Sequence, residues 1–264
     1  MPQAPSDSHR DPRHEAAMCR QWAWALLIAL GLATIAAAPH ADELGQARDL
    51  LVEQVVEHAK LAGPMTGREE LDPAILEAIR TLPRHLFVET DAAPFAYLDV
   101  ALPAEHGLRE SQPYIVALMT DVVAIEPEHN VLILGVGGGY HAALVRELDA
   151  EVFTVDLDAD AVASVTARLA EQQYSGVHLR AADPYDGWPE VDRQFDAIIV
   201  RLAIDRVPPM LYRQLAPGGR LVAPIGRADD GQVLTLVTRE ADDSFATRPI
   251  LPVRFMRLPG GERL

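Results

Sequence analysis

The sequence predicts an α/β protein organised around a mostly parallel, doubly wound sheet with an antiparallel edge at its C-terminal end. Three observations carry that prediction. Beyond residue 130 the chain alternates apolar strand-like runs with helix-like runs over short connections, which calls for parallel strands covered on both faces. The first of these strands runs directly into a glycine-rich turn and a helix pattern. The stretch 231–264 then holds strand runs with no helix between them, so its strands must pair antiparallel.

Taken in order, residues 1–21 are polar and rich in Pro, His and Arg, and read as disordered. Leu44, Ala47, Leu50, Leu51, Val55 and Ala59 recur at helical spacing, predicting an amphipathic helix over 43–61 as an N-terminal extension. The Gly63–Pro64 pair is expected to break it. Asp72 before Pro73 is an N-cap followed by proline at the first helical position, so a second helix should run to about Arg80. Residues 82–110, with Pro83, Pro94 and Pro103, read as extended segments and loops. A helix begins near Gln112–Pro113 and runs through Ile115–Val123. The strand candidates are 131–134, 151–155, 177–180, 195–200, 219–224 and 232–238, and helices fit 139–148, 159–172 and 207–215. The sequence shows no internal repeat.

Composition narrows the function classes. The 264 residues carry 23 Lys+Arg against 39 Asp+Glu, a net charge of −16, and a hydrophobic share of 49%. This is ordinary globular composition and excludes a disordered or collagen-like chain. No cluster of basic residues is present to neutralise phosphates, which argues against a nucleic-acid partner. The lone Cys19 permits neither an intramolecular disulfide nor a cysteine metal site. The nine histidines are scattered without ligand spacing beside a carboxylate, so no metal is expected.

The segment 22–38 (WAWALLIALGLATIAAA) contains no charge and follows Arg10, Arg13 and Arg20. A basic stretch, an apolar run and small residues read as a secretory signal or a short membrane anchor. The run lies at the lower end of what spans a bilayer. Pro39 disfavours cleavage after Ala38, whereas cleavage after Ala41 stays open. The positive-inside rule places the remainder away from the cytoplasm. The expectation is therefore a disordered stretch plus signal peptide or membrane anchor over 1–41 and a globular domain over 42–264, exported or tethered and periplasmic in a bacterium. A cytoplasmic location is the alternative.

The chemistry concentrates after strand 131–134. Gly135, Gly137, Gly138 and Gly139 allow a tight turn and close approach of a ligand. Tyr140 then opens a helix pattern. The second strand ends in Asp156, placed to accept hydrogen bonds from a ribose diol; the plainer reading makes it a helix N-cap or a solvated acid. Asp158 and Asp160 suit capping better. Asp183 follows the third strand, where it could meet an adenine amino group. These features point to a nucleoside cofactor without separating NAD from S-adenosylmethionine.

Further motifs surround the glycine loop: Leu82-Pro-Arg-His-Leu-Phe-Val88, Ala96-Tyr-Leu-Asp99 with Leu102-Pro103, and Ser111-Gln-Pro-Tyr-Ile-Val-Ala117 followed by Met119-Thr120. After the loop come Asp183-Pro-Tyr-Asp-Gly-Trp-Pro-Glu190, Phe195-Asp-Ala-Ile-Ile-Val200, Val207-Pro-Pro209 and Gln214-Leu-Ala-Pro-Gly-Gly-Arg-Leu-Val222. In this order, over residues 46 to 240, the chain resembles the protein-L-isoaspartate O-methyltransferases. The resemblance implies a Rossmann-like methyltransferase fold and S-adenosyl-L-methionine as cofactor, held by Gly135, Gly137, Gly139, Tyr140, Asp156 and Asp183. It implies methylation of the α-carboxylate of L-isoaspartyl residues in damaged proteins or peptides, which then return toward aspartate through a succinimide. Ser111 matches the family's active-site serine, whose hydroxyl can bind the substrate carboxylate; alternatively it only caps the following helix.

Four departures from the family pattern stand out. Ile133 occupies an acidic position that would help hold the ammonium-bearing end of the cofactor. Val136 and Gly138 replace the loop's Thr and Ser. Ala182-Asp183-Pro184 replaces Gly-Asp-Gly. Arg109-Glu110 and Arg201-Leu202 replace Thr-Ile and Thr-Ala. Arg109 and Arg201 are candidates for binding an anionic substrate, against the alternative of a surface ion pair with Glu110 or Asp205. The altered loop and the leader leave a second functional reading, a non-catalytic relative that binds peptides on a retained fold.

Overall fold

The computed structural model describes residues 41–227 and 231–259. The expected features of residues 1–40, including the apolar run 22–38, lie outside the described residues. Among the described residues no helix is long and apolar enough to cross a membrane.

Helix α1 (Ala41–Thr66) runs past the Gly63–Pro64 pair that should have ended it. Pro64 sits in the last turn, where its missing N–H removes only one late hydrogen bond. The helix stops at Gly67, whose left-handed backbone (φ 67°) donates its N–H to the Gly63 carbonyl at 2.8 Å. Asp72 caps α2 (Pro73–Thr81) by accepting from Ala74 N, and Pro73 fills the first position as expected. Residues 82–110 form three short 3-10 turns and a small antiparallel pair, β1 (Leu102–Pro103) with β2 (Arg109–Glu110). Helix α3 (Pro113–Val122) follows and is buried on nearly all sides.

The main sheet contains β3 (Asn130–Leu134), β4 (Glu151–Asp156), β5 (Val177–Ala181), β6 (Phe195–Val200), β7 (Leu215–Ile225), β8 (Gln232–Arg239) and β9 (Phe245–Val253). Its spatial order is β5-β4-β3-β6-β7-β8-β9. Pairing is parallel from β5 through β7, then antiparallel for β8 and β9. Helices α4 (Tyr140–Arg146), α5 (Ala159–Glu171) and α6 (Pro209–Gln214) connect the parallel strands. This is the expected α/β architecture with the expected antiparallel edge. Strand β7 begins four residues earlier than the sequence pattern suggested, because Leu215 already pairs with Phe195 across an irregularity.

Strand side chains alternate between two apolar clusters. Val131 and Ile133 face the cluster shared with α1 to α5, whereas Leu132 and Leu134 face the one shared with α6. The second face is covered mainly by α6 and by turns bearing Tyr185, Trp188 and Ile204. The described residues from Gly45 onward form one unit. The chain leaves β3 toward β4 and β5, then returns to place β6 on the other side of β3. That reversal puts the topological switch point between the carboxyl ends of β3 and β6, where open parallel sheets bind ligands.

Candidate functional site

A cavity of about 760 Å³ opens at this switch point. Its walls come from the glycine loop, the end of β4, the first residues after β6, the segment from Leu108 to Ile115, α1, and the stretch from Leu251 to Met256. The glycine loop reaches it through Gly135 (φ 97°) and Gly137 (φ 54°), in backbone conformations that disfavour a side chain. A Cβ at Gly137 would strike the Arg201 guanidinium, and one at Gly138 would strike the Phe87 carbonyl.

Asp156 lies at the cavity wall, at the carboxyl end of β4. One carboxylate oxygen accepts from Val136 N at 3.0 Å and the other from Asp158 N at 3.1 Å. Each oxygen keeps acceptor capacity for a second donor. The capping role falls to Asp158, which accepts from Asp160 N and Ala161 N. Ser111 also lines the cavity. It does not cap α3: Gln112 is the N-cap residue and makes no side-chain cap bond. The Ser111 carbonyl is instead held by the buried Arg84 at 3.1 Å, and the same guanidinium binds the carbonyls of Ala96, Leu98 and Val100. Arg84 thus fixes the segment that presents the serine.

Three residues expected at the cofactor are not brought to the cavity wall. Gly139 (φ 101°) is the N-cap residue of α4, and a Cβ there would press on Val165. Tyr140 is wholly buried against Phe87, with burial pushing its phenol far above the usual range. Its N–H donates inside the protein, to Glu110. Asp183 caps the turn Pro184–Asp186 by accepting from Tyr185 N at 3.0 Å.

The two arginines separate. Arg109 is exposed at the cavity and reaches the Ala101 carbonyl at 3.4 Å. Arg201 does pair with Glu110, at 2.8 Å, but the expected surface ion pair is a buried one, with side-chain exposures of 4% and 0%. Asp205 is engaged elsewhere, by Arg257 at 2.7 Å. Glu110 also accepts from Gly138 N at 2.5 Å and Tyr140 N at 3.2 Å. A carboxylate therefore does reach the glycine loop, from β2 and not from position 133, where Ile133 packs into the apolar core.

Sequence reasoning missed a second polar pair at the same cavity. His58 of α1 lines it, and its Nδ1 meets the carboxylate of the buried Asp99. Asp99 also accepts from Tyr114 N at 2.8 Å and Gln112 Nε2 at 3.1 Å, tying α1 to the start of α3. Asp99 stood in a family motif, whereas His58 carried no local signal. Among the described residues no group of three or more His, Cys, Asp or Glu could hold a metal ion.

Fold and cavity together define an α/β protein of the nucleoside-cofactor class, with its site at the switch point of a parallel sheet. Comparison with known proteins resolves the class further. The family model of protein-L-isoaspartate(D-aspartate) O-methyltransferase matches residues 63–263. A protein-L-isoaspartate O-methyltransferase 2 of Polaromonas sp. is 40% identical over 80% of this chain and 99% of its own. A protein-L-isoaspartate O-methyltransferase 1 of Cupriavidus necator is 39% identical over 89% of this chain and 91% of its own. The chain belongs to the protein-L-isoaspartate O-methyltransferase family. That membership removes the nicotinamide alternative. A solved protein-L-isoaspartate O-methyltransferase shares the fold with TM-score 0.70 at 24% identity, covering 81% of this chain and 66% of that one. A Plasmodium falciparum chain solved in complex with S-adenosyl-L-homocysteine superposes with TM-score 0.64 at 19% identity, over 78% of this chain and 97% of that one.

Proposed function

We propose that this chain methylates the α-carboxylate of L-isoaspartyl residues in damaged proteins or peptides, with S-adenosyl-L-methionine as cofactor. The observation that carries the proposal is the meeting of the Gly135–Gly137 turn, Asp156 and Ser111 on one cavity. The residues present fit such a cofactor. Gly135 and Gly137 leave backbone open to close approach, and Asp156 retains acceptor capacity for ribose hydroxyls. Bound there, the cofactor supplies an activated sulfonium methyl group.

The remaining task is positioning. A carboxylate is already a competent nucleophile at neutral pH, so holding it in line supplies most of the rate. To the Ser111 hydroxyl, on a segment fixed by Arg84, we assign the hydrogen bond to one carboxylate oxygen that leaves the other to attack. Arg109, exposed at the cavity, adds positive charge for an anionic peptide. Nothing in the family comparison favours a non-catalytic relative. The test is methyl transfer from labelled cofactor to an isoaspartyl peptide, read as base-labile methyl ester. Labelling of the isoaspartyl but not the aspartyl peptide is expected; equal or absent labelling of both would overturn the proposal.

We further propose that the apolar run 22–38 exports or tethers the domain. Its lack of charge and its upstream arginines support this reading. Cell fractionation of the chain with and without residues 1–41 tests it, and release into the cytoplasm by both forms would end it.

A further inference from the structure

We propose that Arg201, held in place by Glu110, anchors the carboxylate of the cofactor's amino-acid end. The inference rests on the methyltransferase reading above and assigns a binding role to a buried ion pair. Four observations carry it. Arg201 follows β6 directly and sits at the switch point, its N–H bonded to the Leu134 carbonyl at 2.9 Å. Its guanidinium folds over the glycine turn, with Nη1 donating to the Gly135 carbonyl at 3.1 Å. Gly135, Gly137 and Arg201 all face the cavity.

The third observation is that the loop's own anion-binding capacity is already used. Gly138 N and Tyr140 N, the amides such a loop would offer a carboxylate, both donate to Glu110. An incoming carboxylate must find its donors elsewhere. The fourth is that Arg201 still has donors to give: Nη1 donates to the Gly135 carbonyl and Nη2 to the Arg109 carbonyl and Glu110, three bonds from a guanidinium that carries five N–H groups in a fixed fork suited to a carboxylate. Position 133 is apolar, Glu110 Oε1 accepts from both loop amides and its Oε2 is paired with Arg201. The charge that Arg201 reads is the ligand's carboxylate.

A substrate carboxylate is the other source of the same chemistry, and the test separates the two. Calorimetry on the full chain would compare S-adenosylmethionine with its decarboxylated analogue, which keeps the sulfonium, the nucleoside and the ammonium. The wild-type chain should bind the analogue about ten- to a hundredfold more weakly. The Arg201→Gln variant, in which Glu110 still occupies the loop amides, should bind both ligands alike at the weaker level. Arg201→Lys, which keeps the charge but loses the fork, serves as a second variant if Arg201→Gln does not fold, and should bind S-adenosylmethionine more weakly than wild type. Equal wild-type affinity for both ligands would overturn the inference and leave the methyltransferase reading intact. So would an Arg201 variant that binds S-adenosylmethionine as well as, or better than, wild type, or one whose only defect is a raised KM for isoaspartyl peptide. Failure of the wild-type chain to bind either ligand would instead overturn the cofactor reading, and this inference with it.

Discussion

The carboxylate of Glu110 and the guanidinium of Arg201 meet at 2.8 Å inside the protein, although they stand 91 residues apart in the chain. Burying two charges is repaid only when the pair is complete and its remaining atoms are hydrogen-bonded. Here Glu110 has the Gly138 and Tyr140 amides and Arg201 has the Gly135 and Arg109 carbonyls, with Arg201 Nε alone left unmatched. Glu110→Ala strands a buried cation beside the glycine turn and should cost about 3–5 kcal/mol in denaturant unfolding. The double variant Glu110→Ile, Arg201→Thr should recover most of that loss. A single variant as stable as wild type would show that the pair is open to water.

Ser111→Ala separates catalysis from capping. The hydroxyl does not cap α3, so its loss should leave stability within about 0.5 kcal/mol of wild type. A missing hydrogen bond to the substrate carboxylate should lower kcat/KM by about ten- to a hundredfold. Affinity for S-adenosylhomocysteine should not change. Parallel melting, calorimetry and peptide-methylation measurements check all three. A marked loss of stability with unchanged turnover would make the residue structural.

His58 and Asp99 should respond differently to truncation. His58 is half exposed, with 46% of its side chain accessible, whereas that of Asp99 is 3% accessible. His58→Ala removes one partner of Asp99 while leaving the Tyr114 and Gln112 bonds in place, and should cost about 1 kcal/mol or less. Asp99→Ala frees the Tyr114 N–H and Gln112 side chain together and should cost about 2–3 kcal/mol. Because both residues anchor the start of α3 beside Ser111, each variant should raise KM for isoaspartyl peptide more than it changes S-adenosylhomocysteine affinity. Denaturant unfolding and initial-rate kinetics provide the check, and equal stability losses would contradict the assignment.

The parallel core was legible because its signals are local. Strands such as Val131–Leu134 are continuous apolar runs, and the glycine turn and Asp156 lie within a single strand–turn–helix–strand unit. The end of α1 was misplaced because a proline in the final turn looks like one that breaks a helix, and only the backbone shows that Gly67 supplies the stop. Strand β9 carried no clear boundaries because it is an edge strand, with six of its nine residues exposed. The Glu110–Arg201 and His58–Asp99 pairs join distant segments. Which segments meet is set by how strands and helices pack, which no residue spacing encodes. Glu110 looked like a departure in a loop until β2 placed it against the glycine turn.

His141 gives the fold a pH dependence that can be separated from its other acid-sensitive groups. It is wholly buried, with Nε2 against Thr120 Oγ1 at 3.0 Å and Nδ1 without a partner. Burial first, and then the charge of Arg201, hold its pKa well below the ordinary 6.5. The folded chain therefore keeps this imidazole neutral while the unfolded chain protonates it. As pH falls below 6.5, the unfolded state binds one more proton at this residue, and stability must fall. Above that pH both states are neutral here and the contribution is flat. The slope for one proton is about 1.4 kcal/mol per pH unit. His85 is shifted in the same direction, by burial and then Arg48, so wild type alone does not isolate the effect. The difference between wild type and His141→Gln does, because the glutamine keeps a polar contact for Thr120 and cannot titrate. Unfolding free energies measured from pH 7.5 to about 5 should show a shallower acid loss in the variant. Superimposable pH profiles would mean that His141 is protonated in the folded protein as readily as in the unfolded chain.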